Sequence, residues 1–284
     1  MLRSLFTGIS GLRVNQTMLD VTGNNIANAN TTGFKSSTTV FQDTLSQMMT
    51  GAGGPNDNNG GTNPVQVGLG VQLAGTVTNL TQGSEQTTGR ATDLMLSGDG
   101  MFVVRKGDEQ LYTRAGAFSF DSAGTLVTPT GNRVQGYALD ADGNATGGLV
   151  DVTLDVANAV PAVPAGVEMT SYTIGSDGKV TGRFSDGIQR GMAQIAVADF
   201  TNPNGLEKVG ETSYRVSANS GDAQLGVAGE GGRGTVKGGS LEMSNVDLAA
   251  EFTNLILAQR GFQASSRVIT TSDQVLEELV NIKR

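Results

Sequence analysis

The sequence predicts an α+β protein in which discontinuous long terminal α-helices, coiled-coil-like and drawn from the N- and C-terminal ends of the chain, flank a β-rich outer domain. Three observations carry this. Apolar residues near both ends recur at alternating spacings of three and four, and those of the middle recur every second residue. Glycine supplies 41 of the 284 residues, roughly twice its usual share, which implies many tight turns.

At the start, Leu2, Leu5, Ile9, Leu12, Leu19 and Ile26 fall on one seam, interrupted by Gln16 and Gly23. Gly8, Gly11 and Gly23 each cost a helix interior about 1 kcal/mol relative to alanine, so this helix needs a partner. The polar run Asn28-Ala29-Asn30-Thr31-Thr32-Gly33 terminates it.

The other end is the stronger helix. Ser244 followed by Asp247 predicts an N-cap, and Leu248, Phe252, Leu255, Phe262, Ile269, Leu276 and Val280 continue the seam from it. A second apolar row, Leu257, Ala264, Val268, Val275 and Leu279, lies beside the first, so two faces call for burial. At 1.5 Å per residue the helix reaches about 55 Å, longer than a compact domain of this size covers. Packing between molecules is therefore expected, with end segments that order only on assembly.

The middle reads as half-buried strands. Val65, Val67, Leu69, Val71 and Leu73 alternate, as do Val150, Val152, Leu154 and Val156, with shorter alternations at Phe118/Phe120 and Ile195/Val197. Asp99-Gly100, Asp142-Gly143, Asp177-Gly178 and Asp186-Gly187 predict hairpin turns. Residues 51–64 have no apolar periodicity and are rich in glycine and asparagine. The expected division is a helical inner polymerisation domain from 1–34 with 245–284, a linker or extended arm at 35–64, and the β-rich outer domain at 65–244.

Chemistry is scarce. Histidine and cysteine are absent, which removes Ser/His/Asp and Cys/His nucleophile systems, ordinary zinc sites and disulfides. Gly229-Glu230-Gly231-Gly232-Arg233-Gly234 fits G-x-G-x-x-G but lacks strand–turn–helix context, so it reads as a glycine-rich loop. Asp140-Ala141-Asp142-Gly143-Asn144 resembles the start of a calcium loop, yet Ala145 replaces the required glycine and Asp151 the bidentate glutamate. A plain turn is expected there, with no catalytic residue, cofactor or metal and no enzyme activity. The net charge of −8 disfavours nucleic acid and anionic membrane surfaces. The apolar runs are too short for membrane insertion, and the start lacks the h-region of a cleaved signal peptide.

Several strings carry a resemblance. They are Ser10-Gly11-Leu12, Leu19-Asp20, Asn24-Asn25-Ile26-Ala27-Asn28 and Thr32-Gly33-Phe34-Lys35 at the start. In the middle stand Gly68-Leu69-Gly70-Val71, Gly98-Asp99-Gly100-Met101-Phe102 and Tyr112-Thr113-Arg114-Ala115-Gly116. At the end come Glu242, Ser244-Asn245-Val246-Asp247-Leu248, Ala258-Gln259-Arg260-Gly261-Phe262 and Thr270-Thr271-Ser272-Asp273. With these the chain resembles the bacterial flagellar rod and hook family. It is most similar within it to the short hook protein of Gram-positive bacteria, through Met1-Leu2-Arg3-Ser4-Leu5, Leu241-Glu242-Met243 and Glu277-Glu278-Leu279-Val280-Asn281-Ile282-Lys283.

The resemblance implies a subunit of the extracellular flagellar hook, a self-assembling helical tube that transmits motor torque as a universal joint. The first and last helices would pair to line an export channel, with the β domain outside. The partners implied are further copies of itself, the distal rod, the hook cap, the hook–filament junction proteins and the flagellar export apparatus, which passes the chain uncleaved. The distal rod protein of the basal body is the alternative, and a surface adhesin-like β protein a more distant one. The two terminal seams are the expected assembly interface.

Overall fold

The computed structural model describes residues 2–55, 60–140, 142–164 and 167–282. Met1, residues 56–59 of the expected arm, Ala141 and Lys283 lie outside the described residues. The chain divides into two compact units, one of Met1–Ala27, Ser36–Asn79 and Val246–Arg284, the other of Asn28–Lys35 and Leu80–Asn245. These units do not follow the compositional boundaries, because two strand pairs from 37–78 belong with the helices.

In the helical unit, α1 spans Leu2–Ala27 and α2 spans Leu248–Ile282. Neither is long and apolar enough to cross a membrane. The cap of α2 is Asp247 rather than Ser244: its carboxylate accepts the Ala249 N–H at 2.9 Å and the Ala250 N–H at 3.3 Å. Asp247 immediately precedes the helix, within reach of the N–H groups that have no intrahelical partner, and Ser244 lies three residues further back.

The helices pair with one another inside a single chain, which corrects the expectation that the ends order only on assembly. Ser4 Oγ meets Ser272 Oγ at 3.2 Å, and Asn25 Nδ2 donates to Glu251 Oε1 at 3.0 Å. The start of α1 thus lies against the C-terminal half of α2 and the end of α1 against the start of α2, so the pair is antiparallel.

The expected arm at 35–64 is in large part β structure. Strand Ser37–Asp43 pairs antiparallel with Val71–Thr78, with a bulge between Val40 and Phe41. Strand Ser46–Thr50 pairs with Val65–Gly68 as a separate two-stranded hairpin whose residues are all exposed. The alternation from Val65 to Leu73 therefore serves two strands, broken at Leu69-Gly70.

The β unit is built on an antiparallel sheet. Its main path runs Met169–Ile174, Lys179–Phe184, Gln189–Asp199, Arg133–Leu139, Met101–Lys106, Glu109–Thr113, Ser213–Arg215 and Glu207–Gly210. Central strands are buried on both faces, so the strand that carries Ile195 and Val197 is not half-buried as expected: Ala196 and Ala198 on its other face are covered as well. Phe102, Val104, Ile195 and Val197 join one apolar cluster with Leu94, Phe118 and Val134. Met101, Val103, Ala196 and Ala198 join another with Tyr112, Phe200 and Tyr214. Side chains alternate across a strand, and apolar residues at consecutive positions fill both layers.

Three of the four Asp-Gly pairs turn hairpins as expected, with Gly143, Gly178 and Gly187 at positive φ. Asp99-Gly100 does not, because the strands it joins pair elsewhere, Leu94–Ser97 with Thr235–Gly238 and Met101–Lys106 with Glu109–Thr113. The alternation ending at Val156 also departs from expectation: strand Ala145–Asp151 stops there, Val152 plugs into the core, and Val156–Asn158 forms a 3-10 turn.

One turn is strained. Glu211 and Thr212 both have φ of 54°, a conformation that costs an L-residue about 1–2 kcal/mol. The Thr212 backbone oxygen accepts the Thr113 hydroxyl at 3.0 Å, a bond that survives loss of the threonine side chain. Thr212→Gly is expected to stabilise the β unit by about 1 kcal/mol, measured as a higher urea midpoint at unchanged slope.

Candidate functional site

The contact between α1 and α2 is made of small and polar residues. A methyl group added to Gly8 would lie 3.0 Å from Ile269 Cγ1, and one added to Gly11 would lie 2.8 Å from Ser265 Oγ. Ala258 is 1% exposed, while Gly261 lies against Asn15. The glycines that weaken α1 in isolation therefore let the helices approach closely, since interaxial distance follows side-chain size at the contact. Asn25 completes the joint by donating to the Ser37 carbonyl at 2.8 Å and accepting the Ser37 N–H at 3.0 Å.

Close approach through small residues leaves the large ones at the flanks. Of the predicted interface, Leu5, Ile9, Leu12, Leu19, Ile26, Leu255, Ile269 and Leu276 are half-buried; Leu2 opens α1. Leu248, Phe252, Phe262 and Val280 are exposed, Phe252 by 51% and Val280 by 66%. Leu257, Val268, Val275 and Leu279 of the second row are exposed too. The predicted seam residues lie on the two paired helices, and of them Ile269 takes part in the close contact within the chain, against Gly8. An apolar surface of this extent marks an interaction site.

A second arrangement, within the β unit, holds the turn segment that follows α1. Lys35 is completely buried, and its Nζ donates to Glu242 Oε1 at 2.5 Å and to the Thr81 carbonyl at 2.8 Å. Glu242 Oε1 also accepts the Gly83 N–H at 2.9 Å, and its Oε2 lies 3.5 Å from Arg114 Nη1. Burial pushes the Lys35 ammonium below the usual lysine range, with Glu242 opposing that shift and Arg114 adding to it. Burial likewise lowers Arg114. Gly33, at φ +68°, donates its N–H to the Glu242 carbonyl at 2.8 Å, and a side chain there would collide with the backbone at Ala115.

The described residues contain no group of three or more acidic side chains suited to a metal ion. At the resemblance to a calcium loop, Asp140 Oδ1 instead accepts the N–H groups of Asp142 and Asn144, at 3.1 and 2.8 Å, as a turn-forming aspartate does. The glycine-rich 229–234 stretch is a turn between strands Gln224–Val227 and Thr235–Gly238.

A paired-helix unit with uncovered apolar flanks, carried by a chain that also folds a β unit, defines a self-associating structural subunit. Comparison with known proteins makes that class specific. Residues 5–35 match the family described as flagella basal body rod protein, 95–182 the flagellar hook protein FlgE/F/G D1 domain, and 237–282 the flagellar basal body rod FlgEFG protein C-terminal. Flagellar basal-body rod protein FlgG of Bacillus subtilis is 46% identical over 286 aligned residues that cover all of both chains. Flagellar hook protein FlgE of Borreliella burgdorferi is 31% identical over 441, again covering all of both. FlgG of the same organism is 34% identical over 288, with the same full coverage. The chain belongs to the flagellar rod and hook family, and it is a structural component of the flagellum.

Sequence reasoning singled out Asn25, Lys35, Arg114 and Glu242 only as parts of family strings, without roles, and did not single out Glu251. Their pairings bridge 128 to 226 residues of chain, and no local pattern announces them.

Proposed function

We propose that the chain is the subunit of the flagellar hook, polymerising into a helical tube that passes motor torque to the filament as a universal joint. The observation that carries this is the uncovered apolar flank of the α1–α2 pair. Leu2, Leu5, Ile9, Leu12, Leu19, Ile26, Leu248, Phe252, Leu255, Phe262, Ile269, Leu276 and Val280 become buried between copies and hold the inner tube together. Contacts between different patches of identical subunits generate an open helical assembly when the rotation does not close. The tube joins the distal rod below and the hook–filament junction proteins above, grows under a hook cap, and receives subunits uncleaved from the flagellar export apparatus.

The stretch 51–64 supports a bendable tube. Its glycines, alanine and asparagine leave little side chain to wedge between neighbours. A distal rod subunit is the second reading, favoured by the FlgG relatives, whose 286 and 288 aligned residues barely exceed this chain, against 441 for the hook protein. Imaging decides between them. Native tubes are expected to be bent or variably curved, and replacing 51–64 by a bulky apolar sequence of equal length is expected to straighten them. Native tubes that are uniformly straight assign the chain to the rod.

A further inference from the structure

We propose that Met48 and Met49, on strand Ser46–Thr50, form a modification site for hydroperoxides, at which both thioethers become sulfoxides while the two compact units of the chain stay folded. The inference is independent of the assembly reading above.

Composition confines the reaction to methionine. Cysteine, tryptophan and histidine are absent, and nine methionines remain as the side chains that a peroxide attacks most readily. Susceptibility then follows exposure, and the fold sorts the described methionines sharply. Met48 and Met49 are 59% and 65% exposed, whereas Met95, Met101 and Met192 are 4%, 3% and 1% exposed. Met18, Met169 and Met243 lie between the two groups.

Local structure explains the contrast. Adjacent residues of a strand point to opposite faces, so a strand lying on a core covers one of two neighbouring methionines. Here neither is covered: the strand pairs only with Val65–Gly68, in a two-stranded hairpin exposed along both strands. Met101, by contrast, packs with Tyr112, Phe200 and Tyr214. The sulfur of Met192 lies against Gly182, where an added methyl group would come within 3.1 Å of it.

The step balances without help from the chain. A lone pair of the methionine sulfur attacks the hydroxyl oxygen of the peroxide, and the S–O bond forms as the O–O bond breaks. The proton of the attacked oxygen passes to the departing one, which leaves as water or an alcohol. Sulfur gives up two electrons and the peroxide takes them. The product is polar, so the hairpin gains polarity while water solvates it and neither compact unit loses packing. In the core the same oxygen would be sealed among apolar side chains without a hydrogen-bond donor, at a cost that places oxidation there behind unfolding.

The test adds hydrogen peroxide to the soluble full chain and follows trypsin fragments by mass spectrometry. Fragment 36–90 carries Met48 and Met49 and no other methionine, 91–105 carries Met95 and Met101, and 191–208 carries Met192. Fragment 36–90 is expected to gain two oxygens, about 16 Da each, at least about ten times faster than the other two fragments gain any, in line with the exposures. Circular dichroism of the chain carrying those two oxygens is expected to match that of the untreated chain. Met48→Leu/Met49→Leu is expected to lose the fast phase and keep the slow rates elsewhere. Comparable rates in the three fragments, faster reaction at Met18, Met169 or Met243, or loss of the folded signal with the first two oxygens overturns the proposal.

Discussion

Phe262→Asp is expected to yield a soluble, folded monomer that never enters the polymer. In the single chain Phe262 is already 38% exposed, so a carboxylate there meets water and the monomer loses little. Its neighbour Gly261 makes the close contact with Asn15, and that contact is untouched. In the tube proposed above the same position becomes enclosed. Burying a phenylalanine stabilises by about 1.5–3 kcal/mol, and the aspartate forfeits this and adds the cost of an unpaired buried charge. The loss recurs at every subunit. Sedimentation and circular dichroism should show a native monomer, and electron microscopy no tubes; normal tubes would remove Phe262 from the interface.

Glu242→Leu is expected to have the largest effect on the β unit. The carboxylate is the shared acceptor for Lys35, Arg114 and the Gly83 N–H, all inside the protein. Without it, Lys35 and Arg114 lose their shared counter-charge, leaving only the Asp99 carboxylate, beyond ion-pair distance, to act on Arg114, and breaking a buried pair in this way costs about 3–5 kcal/mol. Against a typical total of roughly 5–15 kcal/mol that is a large share. Lys35→Met should cost less, because Glu242 keeps Arg114 and the Gly83 N–H. Urea unfolding of the three proteins checks the order; equal midpoints for Glu242→Leu and the unaltered chain would show that the network contributes nothing.

What the sequence disclosed and what it withheld have physical causes. The seams at Leu248, Phe252 and Val280 were legible because large side chains at helical spacing repeat locally. The surface through which α1 and α2 touch was not, since Gly8, Gly11 and Ser265 read as poor helix formers until a second helix stands opposite them. Capping was legible in kind but not in position, Asp247 and Ser244 being equally suited chemically. Alternation marked the strand Val71–Thr78, yet the same alternation overran the true end at Asp151, because a buried loop residue such as Val152 is as apolar as a strand residue. Lys35 and Glu242 lie 207 positions apart, and a charged residue looks the same in sequence whether it will be solvated or sealed in.

The joining of the first helix to the last has a consequence in time. Ser4 finds Ser272 across 268 positions, and Asn25 finds Glu251 across 226. A ribosome delivers α1 first, so its contact surface waits for almost the whole chain before its partner exists. Closing so long a loop is entropically costly and slow. The β unit joins distant strands as well, Leu94–Ser97 with Thr235–Gly238 and Glu85–Thr87 with Ser240–Glu242, but all of them have emerged before α2 begins at Leu248. The helix pair is therefore the last part of the molecule to become available, and a chain cut short anywhere before α2 has no such pair to present to a growing tube.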